Sequence, residues 1–356
     1  CPQKDFEQTW YYRWWTLRKH IEKTPEGYAM TEFLVKRNYA DKYNLIASAV
    51  GHHINESRWL RNPLYLDQII NTWFHGNDGK PMKKINFYSS WIASSIWNRY
   101  LVDHRKDNAT ALLNDLVWEN KLWDSHRWSD ENKPSLYWQY DVRDAMEETI
   151  SGGRKEKNAR PSINSYMYGN DRAIANIAGL AGNNDVAKLY NLKADTIRNL
   201  VETKLWNDSA KFFEVKYPNK KFAAVREEIG FLPWYFNLPT DNANFSQVWL
   251  QVIDEKGFSA PFGLTTAEQR HPAFRSHGVG KCEWDGAVWP FATSQTLTSM
   301  ANLLNDYTHL PIINKDGDND DSWHKAYFTQ LEKYVQSQSY RGKPYIGEYL
   351  DETTGY

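Results

Sequence analysis

The chain has 356 residues, and its 43 lysines and arginines stand against 44 aspartates and glutamates with no long block of either sign. That balance excludes a nucleic-acid footprint or a polybasic membrane patch, and no run of about 18 apolar residues is present to span a bilayer. What remains is a chain of mean hydropathy −0.74 with 17 Trp, 22 Tyr and 15 Phe, a ring content suited to a neutral, amphipathic ligand such as a carbohydrate. Cys1 and Cys282 are the only cysteines, which excludes a disulfide framework and leaves one bridge open.

Residues 5–21 carry Phe6, Trp10, Trp14 and Leu17 at three- to four-residue spacing, the pattern of one helical face. The helix should stop before Thr24-Pro25-Glu26-Gly27, a turn signal, and residues 28–35 read as a short strand or extended loop. From 43 to 55 the chain is almost free of charge, whereas 56–74 is amphipathic. The alternation recurs three times: 86–97 before 109–123, 162–170 before 185–205, and 286–305 before 322–338. A helix without charges is buried all round, while an amphipathic one is buried on one face. Repeated pairs of this kind predict two concentric rings. Helices beginning near Asn44, Asn86, Ser162 and Gly286 should lie inside, with those near Leu64, Ala109, Asp185 and Ser322 outside. The predicted fold is all-α, an (α/α)6 barrel forming one catalytic domain over residues 1–356, with short extended excursions at 138–142, 212–215 and 229–237. A full barrel needs a further helical pair, so the barrel is expected to continue past the C-terminus.

The segment Glu283-Trp284-Asp285-Gly286-Ala287-Val288-Trp289 sets two Trp and two carboxylates ahead of Pro290, which suits the first turn of a helix. Trp faces pack on the CH faces of a sugar ring, and carboxylates accept from its hydroxyls. Trp138 and Trp234, on two of the excursions, are further candidates for sugar contact. Asp141, Asp144, Glu147 and Glu148 cluster beside Tyr137, Trp138, Tyr140 and Met146, where apolar neighbours would raise a carboxyl pKa toward that of a general acid. The segment Gly347-Glu348-Tyr349-Leu350-Asp351 again mixes carboxylates with aromatics. Two separate acidic clusters are what glycoside hydrolysis needs, one carboxyl on each face of the sugar. Adjacent His52 and His53 would point about 100° apart on a helix and read as core or cleft histidines rather than a metal pair. The acidic run 316–321 lacks the Gly and Glu of an EF-hand and reads as a solvated loop.

Taken together, Ala145-Met146-Glu147-Glu148-Thr149, Trp284-Asp285-Gly286-Ala287-Val288-Trp289 and Gly347-Glu348-Tyr349-Leu350-Asp351 resemble the motifs of (α/α)6-barrel glycosidases of the glycoside hydrolase family 63 and mannosylglycerate-hydrolase type, with trehalases as distant kin. The resemblance implies an inverting, exo-acting hydrolase of the α-glucosidase or mannosylglycerate-hydrolase kind that uses no metal or other cofactor. It places Glu147 as general acid and Glu348 as general base, with Asp144 in reserve for the acid. Trp284, Asp285, Trp289, Asp144, Trp138 and Trp234 are then expected to bind a carbohydrate substrate. Glu147 stands where those relatives carry Asp, Asp285 where they carry Arg and Ala287 where they carry Pro. A sugar epimerase or isomerase on a similar barrel, using His271 and His277, and a non-catalytic carbohydrate-binding protein are the alternatives. A periplasmic or extracellular setting, possession of further domains and a carbohydrate partner complete the expectation.

Overall fold

Helix α1 (Lys4–His20) has Asp5 and Glu7 in its first turn and Arg18, Lys19 and His20 in its last, charges that oppose the helix dipole at both ends. It runs straight into a hairpin of β1 (Ile21–Thr24) and β2 (Gly27–Met30), whose Thr24–Gly27 pair closes the turn. Gly27 adopts φ +126°, a conformation that side chains disfavour. This structure, a computed structural model, describes residues 2–127, 135–276 and 284–356. The expectations resting on Cys1, Cys282, Glu283 and His277 fall outside the described residues.

Beyond the hairpin the chain forms α2 (Val50–Ser57), α3 (Leu64–His75), α4 (Ile92–Asp103), α5 (Lys106–Ala111), α6 (Leu113–Leu122), α7 (Pro161–Leu180) and α8 (Asn184–Lys204). There follow α9 (Leu232–Tyr235), α10 (Ala243–Ser246), α11 (Leu250–Ile253), α12 (Pro290–Asp306) and α13 (Asn319–Ser337). The α2, α4, α7, α9 and α12 helices pack side by side in that order and make the inner wall. Nearly every residue of α7 is buried, whereas its successor α8 buries only Tyr190, Ala194, Ile197 and Val201. The same contrast separates α12 from α13, as their charge distributions require. The fold is of the (α/α)6-barrel class.

One excursion departs from the sequence expectation. Residues 228–231 form a 3-10 turn that leads into α9, so 229–235 is a short, largely buried helical stretch rather than an extended segment. The apolar run with Gly230 and Pro233 looks like a strand with breakers, yet Pro233 sits in the first turn of α9, where its missing N–H costs nothing. The acidic run 316–321 has a structural use, since the Asp318 carboxylate caps α13 by accepting from the amides of Asp320 and Asp321.

The connections between helices carry four more two-stranded antiparallel pairs. They are β3 (Trp138–Gln139) with β4 (Asn158–Ala159), β5 (Trp206–Asn207) with β6 (Phe212–Phe213), β7 (Ser259–Ala260) with β8 (Gly263–Leu264), and β9 (Ser339–Tyr340) with β10 (Lys343–Pro344). The buried side chains fall into two clusters that meet on α7: Ile163, Tyr166 and Met167 belong to one, Ala173, Ile174 and Ile177 to the other. Each large apolar side chain so buried contributes roughly 1.5–3 kcal/mol. Close approach between inner helices needs Gly51, where an added Cβ would lie 2.2 Å from the Trp91 ring. No helix among the described residues is long and apolar enough to cross a membrane.

Candidate active site

The loop that carries Glu147 is built by buried carboxylates. Asp141 accepts from the amides of Val142 (2.6 Å) and Glu148 (3.1 Å), folding residues 141–148 back on themselves. Asp144 is fully buried, where it pairs with Arg160 at 2.7 Å and accepts from the Ser162 hydroxyl at the start of α7. Glu227 accepts from the amide of Ser151 at 2.9 Å and from its hydroxyl. The sequence candidate Asp144 thus anchors the loop and offers no open face to a sugar. In a site without water a carboxylate needs such a partner.

Glu147 itself is half-buried. Burial, with a smaller push from the charges of Asp141 and Glu348 and a counterpull from Arg154, raises its carboxyl to about 7. Glu348 is more open, yet the surrounding protein and then the charge of Glu32 raise its carboxyl too, against Arg37. The two acids are thus near enough for the charge of Glu348 to act on Glu147. They are joined through the segment between them. The Trp284 amide donates to the Glu147 carbonyl at 2.9 Å, and Val288 pairs with Leu350 through two backbone hydrogen bonds of 3.0 and 2.9 Å. Gly286 is required at the centre of this hub, because a Cβ there would lie 2.0 Å from the Arg275 carbonyl oxygen.

Trp284 and Trp289 stack on each other with centroids 4.4 Å apart, and Trp289 also meets Tyr349 at 5.2 Å. They are only 2% and 4% exposed, so they form a floor under the acids and not the open platforms their composition suggested. Asp285 is buried and held by the Arg275 guanidinium. Trp138 is half-buried on β3 with the Lys157 ammonium 5.9 Å from its ring. Trp234 is not brought to the cleft. It is 1% exposed and packs on Phe213 and Trp249 in the barrel wall, which corrects its reading as a sugar contact: the apolar run that holds it became an inner helix.

The structure brings in His52 and His53, read from the sequence as core or cleft histidines, and adds Glu32, which pattern did not single out. His52 packs edge-on against Trp91 at 5.0 Å and Phe291 at 4.9 Å, and Phe291 in turn meets Trp284. Burial lowers His52 to about 4, so it is neutral at physiological pH. His53 meets Glu32 at 3.2 Å. Burial opposes ionisation of Glu32, but the hydrogen bond and charge of His53 outweigh it, and the net shift is downward. These residues thus gather at the N-terminal ends of inner helices α2, α4 and α12, where a carboxylate kept charged acts on Glu348, one of two carboxyls whose proton affinity is raised.

Residues 42–356 match the mannosylglycerate hydrolase MGH1-like glycoside hydrolase domain. The chain belongs to that family. This glycoside hydrolase domain is similar to a solved structure named "Sialidase", with 56% identity and a TM-score of 0.93 over 100% of this chain but 32% of that one. The domain therefore spans about a third of that protein's length. It also superposes on the mannosylglycerate hydrolase of Thermus thermophilus in complex with glucose (TM-score 0.69, 12% identity, 97% of this chain and 94% of that chain). Neutral trehalase Nth1 from Saccharomyces cerevisiae is more distant (TM-score 0.55, 12% identity, 82% and 72%). The last two likenesses carry the barrel fold. The domain is a glycosidase by family.

Proposed function

We propose that this domain hydrolyses a glycosidic bond with inversion, removing a terminal sugar from an oligosaccharide or glycoside. Glu147 is the general acid and Glu348 the general base. In the working state Glu147 carries its proton and Glu348 does not. The Glu147 proton passes to the glycosidic oxygen as the bond to the anomeric carbon breaks. A water on the opposite face loses its proton to Glu348 as its oxygen bonds to that carbon. The products are the sugar with inverted anomeric configuration and the freed alcohol. The observation that supports this reading is the carboxyl of Glu147 near neutrality, on a loop clamped by Asp141 and Asp144 and within reach of the charge of Glu348.

A neutral reacting sugar of the α-glucoside or mannosyl-glycerate kind fits a site in which the acids Glu32, Glu147 and Glu348 stand with Arg37 and Arg154. The name of the 56%-identical relative belongs to a chain about three times as long, so sialidase chemistry is not carried to this domain on that name. The test is product analysis by proton NMR on a panel of aryl glycosides and oligosaccharides, with Glu147→Gln and Glu348→Gln as controls. Initial release of the inverted anomer, lost in both variants, is expected. Retention of configuration, or full activity in either variant, overturns the assignment.

A further inference from the structure

Glu147 is carried by a chain that turns sharply on both sides of it. Ala145 and Glu148 have φ of +58° and +61°, the left-handed region that residues with a Cβ rarely enter. Such conformations persist only where the surroundings over-determine them, and they gather at functional sites. Neither residue is a glycine, so the turns need a hold from outside. The Glu148 side chain does not supply it, because its 2.6 Å pair with Arg154 is about half exposed on both sides and such surface pairs contribute little.

Asp141 reaches both turns. It is 1% exposed, and one carboxylate oxygen accepts from the amide of Glu148, the second left-handed residue, at 3.1 Å. The other accepts from the Val142 amide at 2.6 Å, which fixes the side chain's direction. The Asp141 carbonyl accepts from the amides of Asp144 at 2.9 Å and Met146 at 3.1 Å, the two neighbours of Ala145. The next loop is shaped to leave this carboxylate in place. A Cβ on Gly152 would lie 2.2 Å from the Thr149 hydroxyl oxygen, 2.5 Å from an Asp141 carboxylate oxygen and 2.7 Å from the Asp141 Cβ.

We infer that Asp141 is a positioning residue for the proposed proton donor: its carboxylate and carbonyl lock the chain on both sides of Glu147 and so fix where that side chain is presented. The Trp284 amide pins the Glu147 carbonyl from the aromatic floor, and Asp141 sets the turns that bring it there. A donor misplaced by about 1 Å loses on the order of a hundredfold in rate, so a hold on the backbone is a hold on catalysis. The Asp141 charge also acts on Glu147, together with those of Arg154 and Glu348. The inference rests on Glu147 being the acid, but one arm of its test does not use hydrolysis.

Two variants of the full chain separate position from charge. Asp141→Asn removes the charge and one acceptor, whereas Gly152→Ala keeps the carboxylate and displaces it. Amide hydrogen exchange by mass spectrometry should quicken over residues 141–150 in both, while peptides from α7 keep their rates. On the aryl glycoside that the wild type cleaves, kcat should fall about tenfold or more in both, with KM changed less than about threefold. The basic limb of the pH profile should move to lower pH in Asp141→Asn, where a charge opposing ionisation of Glu147 is gone, and stay in Gly152→Ala. A purely structural role would leave that limb unmoved in both. Wild-type kcat in both variants, unchanged exchange over 141–150, exchange quickened throughout the barrel, or an unmoved limb in Asp141→Asn overturns the inference. Should Asp141→Asn fail to fold, Gly152→Ala decides by exchange and kcat. Full activity of Glu147→Gln removes the hydrolytic reading alone, and the exchange rates still decide whether Asp141 holds the loop.

Discussion

The backbone amide of Trp284 donates to the carbonyl of Glu147 at 2.9 Å, so the proposed acid and the aromatic floor beneath it are parts of one backbone unit. Trp284 is 2% exposed and stacked on Trp289. Trp284→Ala should therefore cost about 3–5 kcal/mol of stability, seen as a lowered urea midpoint, with activity lost through a collapsed floor. An unchanged midpoint with weakened sugar binding would return Trp284 to the role of an open platform.

The carboxyl of Glu147 lies at about 7 because burial favours its neutral form. As the proton donor it must be protonated, so kcat/KM should fall as pH rises through about 7. Glu147→Gln should remove that limb and lower kcat by roughly 10²–10⁴-fold. A basic limb that persists in the variant would belong to another group.

Asp144 and Arg160 form an ion pair in which both side chains are fully buried. Burial disfavours the Arg160 charge, but Asp144 and other nearby acids outweigh it and the net shift is upward. Asp144→Asn leaves the guanidinium uncompensated and should destabilise by about 3–5 kcal/mol. Thermal unfolding measures this. A fold of ordinary stability with sugar binding impaired would instead make Asp144 a substrate ligand.

Away from the cleft, Glu119 accepts from the Trp123 indole at 2.7 Å and Asp171 from the Asn120 amide at 2.9 Å. Burial raises both carboxyls to about 7. In the unfolded chain they titrate near 4, so between about 4 and 7 the folded state holds protons that the unfolded state has released. Their contribution to stability is full below about 4 and is lost as pH rises toward and past 7. Glu119→Gln combined with Asp171→Asn should flatten the decline of the melting temperature over that window. An unaltered slope would show that other groups set it.

The paired-helix plan was legible because it is written in charge. Inner helices carry few ions, and the uncharged stretch 162–170 in α7 shows this, although Asp171 and Arg172 follow it on the same helix. Glu147 and Glu348 could be singled out by their aromatic neighbours, and the family that their motifs suggest is the one to which the chain belongs. Pattern fails where a residue's meaning depends on a distant partner. Asp144 looked like its catalytic neighbours until Arg160 and Ser162 closed on it. Trp234 could not be told from a sugar-stacking ring, since both are a Trp in an apolar run. Glu32 carried no signal, because it meets His53 only when the loop after β2 folds over α2.

The Val288–Leu350 pairing means that the proposed base arrives on a segment stitched to the remainder by a short backbone ladder. Most of the hydrophobic clusters lie upstream of it. The turn just before it exposes Arg341 and Gly342, an accessible point for trypsin. A single nick there would disconnect Glu348 from the chain that holds Glu147 while the helical wall kept its packing. Catalytic competence and global foldedness are therefore separable quantities in this domain, and far-UV circular dichroism alone would not report on the first.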